Sequence, residues 1–419
     1  MILYIDPGTG SMLFTILLGV ISVFVFFARS IVIKLKVFFS ADKSKTLNKD
    51  ILPYVIFSDD KRYWTTFESI CDEFEKREET LYYLTASEDD PGLKKEYKYV
   101  KTEFIGSGMK PFSKLNTLKA DVVLSTTPSL DVFQWKRSRD VKWYAHILHA
   151  VGDVTLYRMF GTDYYDAILL SGPAFEKQIR ELESMRNLPA KEVKVVGLPY
   201  LDRLNDRLAK EGSASSSDTK TVLLAPSWGQ NGILRKYGSE MIDALIATGY
   251  NIIIRPHPQS FKSEKEFMDE LIAKYPDSDK LEWNSDNDNF DCLNRADILI
   301  SDYSGVVFDY NFVFNKPFIF TELSFRPDEY DAYWLKEEAW LIQTYRKIGK
   351  PLGEEWKTSL KESIDSTITD VTLEEARSTA MKEGWNHIGE SASRTADYMI
   401  AKRSELLEAA EAKKEGSKK

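Results

Sequence analysis

Between Gly249 and Tyr310 the chain holds two stretches whose residue types suit phosphate chemistry. Ile252–Ile254 is an apolar, strand-like run that ends in Arg255-Pro-His-Pro258. Ile298–Ile300 is a second, and it ends in Ser301-Asp-Tyr-Ser-Gly305 just before a helix-like run. Arg255 offers a planar fork that grips phosphate bidentately. His257, when protonated, donates to an anionic oxygen. The prolines cannot extend a strand ladder and fix the backbone at that point. In the second stretch Ser304 adds a hydroxyl, and Gly305 lets a ligand approach the main chain. A helix start supplies unpaired N–H groups and a positive dipole end. Ligands of open α/β sheets sit beyond the carboxyl ends of strands. Arg255, His257, Ser301, Asp302, Ser304 and Gly305 are therefore the candidate phosphate-binding set. Blander readings stand beside this one: a strand exit with a solvated histidine, and helix capping by Ser and Asp for stability alone.

A second histidine is placed the same way. In Trp143-Tyr-Ala-His-Ile-Leu-His-Ala-Val-Gly-Asp153 the alternation puts His146 within a strand and His149 at its end. A general base needs a pKa near working pH and a position over the substrate. His149 meets that description better than His146, and Asp153 is a candidate to orient it. Ala225-Pro-Ser-Trp228 follows another strand-like run, so Ser227 joins the phosphate candidates. Trp228 suits a base or the core, the core being commoner. Gly197-Leu-Pro-Tyr-Leu-Asp202 reads as a turn and helix start, and His387 as a solvated residue in a polar helix. Neither a Gly-Lys-Ser/Thr phosphate loop nor a Gly-x-Gly-x-x-Gly turn occurs, which disfavours a dinucleotide-dependent dehydrogenase.

The elements that must carry these residues alternate. Strand-like runs cover residues 51–58, 80–86, 98–105, 121–125, 142–148, 167–170 and 194–196. A helix at 63–77 lies between the first two, and after a Gly/Ser-rich break the rhythm resumes, with strands at 221–225, 251–254, 298–301 and 317–320 and helices at 239–247, 262–275 and 306–314. Alternation of this kind indicates βαβ units and parallel sheets. The expectation is two doubly wound domains, residues 50–210 and 221–350, joined by a flexible linker at 211–220. Helices would follow over 351–407, and a charged, frayed tail over 408–419.

Residues 1–49 differ in kind. Met12–Ala28 has no charge, and as a helix it measures about 26 Å at 1.5 Å per residue. Extended through Ser30–Ile33, with Arg29 reaching the interface, it matches a bilayer core of about 30 Å. Lys34, Lys36, Lys43, Lys45 and Lys49 follow it and only Asp6 is charged before it. The positive-inside rule then puts the bulk of the chain in the cytoplasm behind a single transmembrane anchor. No basic n-region precedes the run, which disfavours a cleaved signal peptide. A net charge of −9 over 419 residues argues against general nucleic-acid binding. The two cysteines, Cys71 and Cys292, have no metal-ligand spacing, and no metal or cofactor is expected.

His149, Gly197-x-Pro-x-x-Asp202, Ala225-Pro-Ser-Trp228, Arg255-Pro-His-Pro258 and Asp297-Ile-Leu-Ile-Ser-Asp-Tyr-Ser-Gly-Val-Val-Phe-Asp309 occur in that order, with a fainter Gly389-x-Ser-Ala-Ser-Arg394 behind them. The set resembles the CDP-glycerol glycerophosphotransferase family of teichoic-acid synthesis. The resemblance implies a GT-B-like fold, two Rossmann-like domains facing a central cleft. It implies transfer of glycerol phosphate, or a related polyol phosphate, from a CDP-linked donor to a hydroxyl of a lipid-linked or cell-wall polymer acceptor, with release of CMP. It makes His149 and His257 the catalytic histidines and puts Ser304 and Gly305 beside the donor phosphates. The family commonly has His-Gly-Thr-Pro where this chain has His149-Ala-Val-Gly152, and Asp-Tyr-Ser-Ser where it has Asp302-Tyr-Ser-Gly305. Two alternatives stay open: a nucleotide-sugar glycosyltransferase or epimerase of the same fold, and a membrane-anchored scaffold that binds nucleotide without turnover.

Overall fold

The computed structural model describes residues 51–152, 154–214, 219–286, 288–321 and 327–416. Among them, seven strands form one sheet: β1 (Leu52–Ser58), β2 (Leu81–Thr85), β3 (Val100–Phe104), β4 (Ala120–Ser125), β5 (Val141–Ile147), β6 (Ala167–Leu170) and β7 (Glu192–Val195). Six form a second: β8 (Thr221–Ala225), β9 (Asn251–Ile254), β10 (Leu281–Trp283), β11 (Ile298–Ser301), β12 (Phe318–Phe320) and β13 (Lys350–Pro351). The orders are 3-2-1-4-5-6-7 and 10-9-8-11-12-13, and the paired strands run parallel. β4, β6 and β11 are buried at every residue. Helices cover both faces of such sheets, so the strands read as unbroken apolar runs. Each sheet reverses its strand order beside its first strand, and the crevice there is where ligands of this architecture sit.

The two sheets share a core. Leu148, Val151 and Leu170 from the first half pack in one cluster with Phe308, Phe318, Leu341 and Trp385 from the second. Polar clasps reinforce it. Asp202, buried on the helix Pro199–Glu211, accepts the Trp385 indole N–H at 3.1 Å, the Ser391 backbone N–H at 3.0 Å and the Ser391 hydroxyl. Gly197 makes room for this joint. Its φ is +95°, and a Cβ there would stand 2.6 Å from the Asn386 carbonyl oxygen. Two short motifs far apart in sequence, at Gly197–Asp202 and Gly389–Arg394, thus meet as one structural unit. Beyond Ser391 the last helix, Ser391–Gly416, returns to the first sheet. It buries Ala396 and Met399 there, and Arg403 Nε bonds Asp121 at 2.8 Å.

Several elements differ from expectation. β10 and β13 were not foreseen: each is a short edge strand of two or three residues, one polar in the middle and one carrying Pro351. The helix at 262–275 is two, Ser260–Ser263 and Lys265–Lys274. The last helix runs through Gly416, into the residues expected to form a charged tail, because its Ala, Glu and Lys are strong helix formers. His387 lies in a turn with φ +53°, not in a helix. In the linker, Asn294 holds residues 212–214 through the Gly212 carbonyl and the Ala214 N–H, while residues 215–218 lie outside the described set. Met12–Ala28 also lies outside it, and no helix among the described residues is long and apolar enough to cross a bilayer.

Replacing Asp202 by Ala strands three buried donors. Urea unfolding of the Asp202→Ala protein should show a loss of about 2–4 kcal/mol, whereas an unchanged midpoint would remove the clasp from the account.

Candidate active site

β5 ends at Ile147, and Leu148 enters the shared core, so His149 emerges at the cleft. Its Nδ1 lies 2.8 Å from the Thr126 hydroxyl, and its ring rests on Tyr63 with centroids 4.8 Å apart. Thr126 follows β4 and Tyr63 opens the helix after β1, so neighbouring strand ends of the first sheet grip the imidazole. Enclosure and then the Arg62 charge push its pKa down to about 4. His146, three residues earlier and within β5, is fully buried against the Tyr157 hydroxyl at 3.1 Å.

From the second sheet, β9 delivers Arg255 and His257. Arg255 bonds the Asn284 side-chain oxygen and, at 2.8 Å, the Asp286 carbonyl. Both partners are neutral, so the guanidinium charge is not cancelled by a carboxylate at these contacts. His257 Nδ1 accepts the Gln259 N–H at 3.1 Å. The neutral ring then carries its proton on Nε2 and donates without being charged. Burial, then Arg62, lowers its pKa to about 4.

His149, Arg255 and His257 line one cavity of about 460 Å³. Its wall also holds Arg62, Tyr200, Arg203, Arg207 and Asn289. Arg62 is set by Asp60, which accepts its backbone N–H at 3.0 Å and its Nε at 2.9 Å. Tyr200, Arg203 and Arg207 come from the Pro199–Glu211 helix at spacings of three and four, which align on one helix face. That spacing was present in the sequence and is the signal that would have found them. Arg62 had none: it follows β1 in a polar turn. The wall is rich in cations, but most of them carry a carboxylate partner: Asp60 on Arg62, Glu68 on Arg203, and Glu211 and Asp288 on Arg207.

The Ser301–Gly305 segment is divided. Ser301 and Asp302 are fully buried. The Ser301 hydroxyl bonds the Ala225 carbonyl at 2.6 Å, and the Asp302 carboxylate accepts the Ser227 N–H at 3.0 Å and the Ile233 N–H at 3.2 Å. They fasten the turn after β8 to β11 and do not face the cavity, which leaves Ser227 tethered through its backbone and Trp228 exposed. Ser304 is half-buried, its carbonyl taking the Tyr345 hydroxyl. Gly305 lines a neighbouring pocket of about 180 Å³ with Ala150, Tyr157, Tyr303 and Leu341, and His149 borders both spaces. A Cβ at Gly305 would stand 3.9 Å from Ala150 Cβ. The two places where the chain departs from the family pattern therefore face each other across the seam. Asp153 lies outside the described residues.

This arrangement can be set beside known proteins. Residues 155–332 match the family model of CDP-glycerol:poly(glycerophosphate) glycerophosphotransferase, a little under half of the chain. Over that stretch the chain is similar to CDP-glycerol glycerophosphotransferases. The wall teichoic acid polymerase TagF, in a His-to-Asn variant soaked with CDPG, matches with a TM-score of 0.57 at 14% identity, over 91% of this chain and 97% of that one. A UDP-GlcNAc 2-epimerase from Neisseria meningitidis matches with 0.51 at 13% identity, over 84% and 100%. A glycosyltransferase from Rickettsia africae matches with 0.50 at 13% identity, over 84% and 99%. At such identities the likeness is one of fold, a GT-B-like pair of parallel-sheet domains. No curated protein sequence matches.

The depressed histidines set an expected pH response for this site. A lowered pKa keeps an imidazole neutral to lower pH, so the acid limb of kcat/KM should fall well below the ordinary histidine value of about 6.5. Arg62→Gln removes one lowering cause, and its pH–rate profile should show the limb moved upward.

Proposed function

We propose that the cavity transfers glycerol phosphate, or a related polyol phosphate, from a CDP-linked donor to a hydroxyl of a lipid-linked or cell-wall polymer acceptor. The observation that carries this reading is the meeting of two neutral imidazoles from opposite sheets in one cavity walled by arginines. With Nδ1–H donated to Thr126, His149 keeps a lone pair on Nε2 for the acceptor proton. The acceptor oxygen attacks the phosphorus bonded to glycerol. The bond from that phosphorus to the bridging oxygen breaks, and CMP leaves with the electron pair. Arg255, Arg62 and the His257 Nε2–H receive the charge that builds on the phosphate oxygens. Catalysis of this type is mostly positioning plus charge stabilisation. Gly305 lines the smaller pocket that His149 borders, and Ser304 precedes it in the chain. Ser301, Asp302 and Ser227 support the site from behind.

Residues 50–210 would serve the acceptor and 221–350 the donor nucleotide. The uncharged run Met12–Ala28 would cross the membrane once and leave both on the cytoplasmic side with the basic segment to residue 49. A lipid-linked acceptor then meets the enzyme at the bilayer surface. The likeness to an epimerase and a glycosyltransferase keeps a sugar-nucleotide donor as the rival reading.

Single-turnover release of CMP from CDP-glycerol tests the proposal. His149→Ala should slow release by about 10²–10⁴-fold, the usual worth of a positioned base, with donor binding retained. Arg255→Ala should weaken donor binding as well. Release from a UDP-sugar but not from CDP-glycerol would move the assignment to the rival.

A further inference from the structure

Beside the cleft lies a second feature that the reaction does not use. Arg186 ends the helix Glu176–Arg186, and its buried guanidinium pairs with Asp163 at 2.7 Å and Asp331 at 2.5 Å. Asp331 also accepts the Phe160 and Gly161 N–H groups at 2.7 and 2.9 Å. The Phe160 and Trp334 rings flank the guanidinium, at 5.0 and 5.2 Å, and Tyr333 meets Trp334 edge-on. The loop carrying Phe133 joins this cluster through the Ser129 N–H, 2.7 Å from the Gly161 carbonyl, and the Arg137 guanidinium binds the Tyr164 carbonyl.

The ionic triad is buried, but the rings built on it are not. Phe133 is 58% exposed, Tyr333 56%, Tyr164 45% and Phe160 40%. Grouped exposure of large apolar side chains marks an interaction surface. Of its carboxylates, Asp163 and Asp331 are held by Arg186 and Glu329 by Arg158, while Asp328 is exposed. Arg158, paired with Glu329, and Lys336, three residues after Tyr333, are exposed beside the rings. Aromatic rings with long cationic side chains around them partition to the headgroup layer of a bilayer. The sequence supplies the bilayer, through the uncharged run Met12–Ala28 and the lysines from 34 to 49.

We propose that this aromatic platform, built on Arg186 and displaying Phe133, Phe160, Tyr164 and Tyr333, rests in the lipid headgroup layer. It is a contact separate from the N-terminal run. The proposal rests on the membrane placement given above. The platform is continuous with the site: Tyr157, just before Arg158, contacts His146 and lies along the His149 ring. Docked this way, the cleft side bearing His149 faces the surface from which a lipid-linked hydroxyl arrives.

The test uses the full chain reconstituted in phosphatidylglycerol/phosphatidylcholine vesicles. The native Cys71 and Cys292 are buried, so Phe133→Cys, Tyr333→Cys and, as a control, Ile246→Cys can each take an environment-sensitive fluorophore. Ile246 is exposed at the far end of the second domain's first helix. At 133 and 333 the emission should shift blue and be quenched by doxyl-labelled lipid, with the 246 label unaffected. Labels at 133 and 333 that behave like the one at 246, on protein that stays with the vesicles after an alkaline wash, would overturn the platform and leave the anchor standing. Protein lost in that wash would overturn the anchor, and with labels at 133 and 333 that behave like the one at 246 it would overturn the platform too.

Discussion

Everything at this site depends on holding His149, carried past β5, opposite His257, carried past β9, across a seam between two sheets. A phosphate spans only a few ångströms, so a small slip of one sheet against the other would separate base from charge-stabilising groups. Three features resist that slip. The shared core interleaves Leu148 and Val151 with Phe308 and Leu341. The buried Arg186 ties Asp163 in one half to Asp331 in the other. Asp202 clasps Trp385 and Ser391, so the last helix straps the second half back onto the first. Buried ion pairs are poor sources of net stability, because desolvation offsets attraction. Their use here is geometric: each leaves one arrangement that satisfies its donors.

The same cleft sets the charge state of its tools. Enclosure favours neutral imidazoles, and Arg62, on the wall between them, pushes both the same way. A neutral His149 keeps a lone pair for a proton at ordinary pH, although a pKa of about 4 lies below the near-neutral value expected of a general base, and a neutral His257 with its Nδ1 occupied is a donor. The fixed positive charge is left to arginines, which do not titrate. Cations already in place before the donor arrives cost no reorganisation as charge develops.

Much of this was legible in the chain. Runs such as Thr221–Ala225 and Ile298–Ser301 announce buried parallel strands, and strand ends point to His149, Arg255 and His257. Three things were not legible. Arg62 lies in a polar turn that looks like any surface loop. Asp202 and Ser391 are 189 residues apart, and only the folded chain shows that their motifs are one joint. Ser301 and Asp302 have the residue types of a ligand site or of a cap on the next helix, but both are buried, and instead of capping that helix they tether the turn after β8. Short polar residues after a strand serve a loop or a ligand with the same chemistry, so their direction has to come from the fold.

The central claim is attack by an acceptor hydroxyl on the phosphorus that bears glycerol. Its most direct test is turnover of CDP-glycerol with an acceptor whose attacking hydroxyl carries oxygen-18, read by phosphorus NMR. The account predicts that the label ends in the new phosphodiester and that CMP carries none. Label left out of the phosphodiester, or CDP appearing in place of CMP, would contradict it.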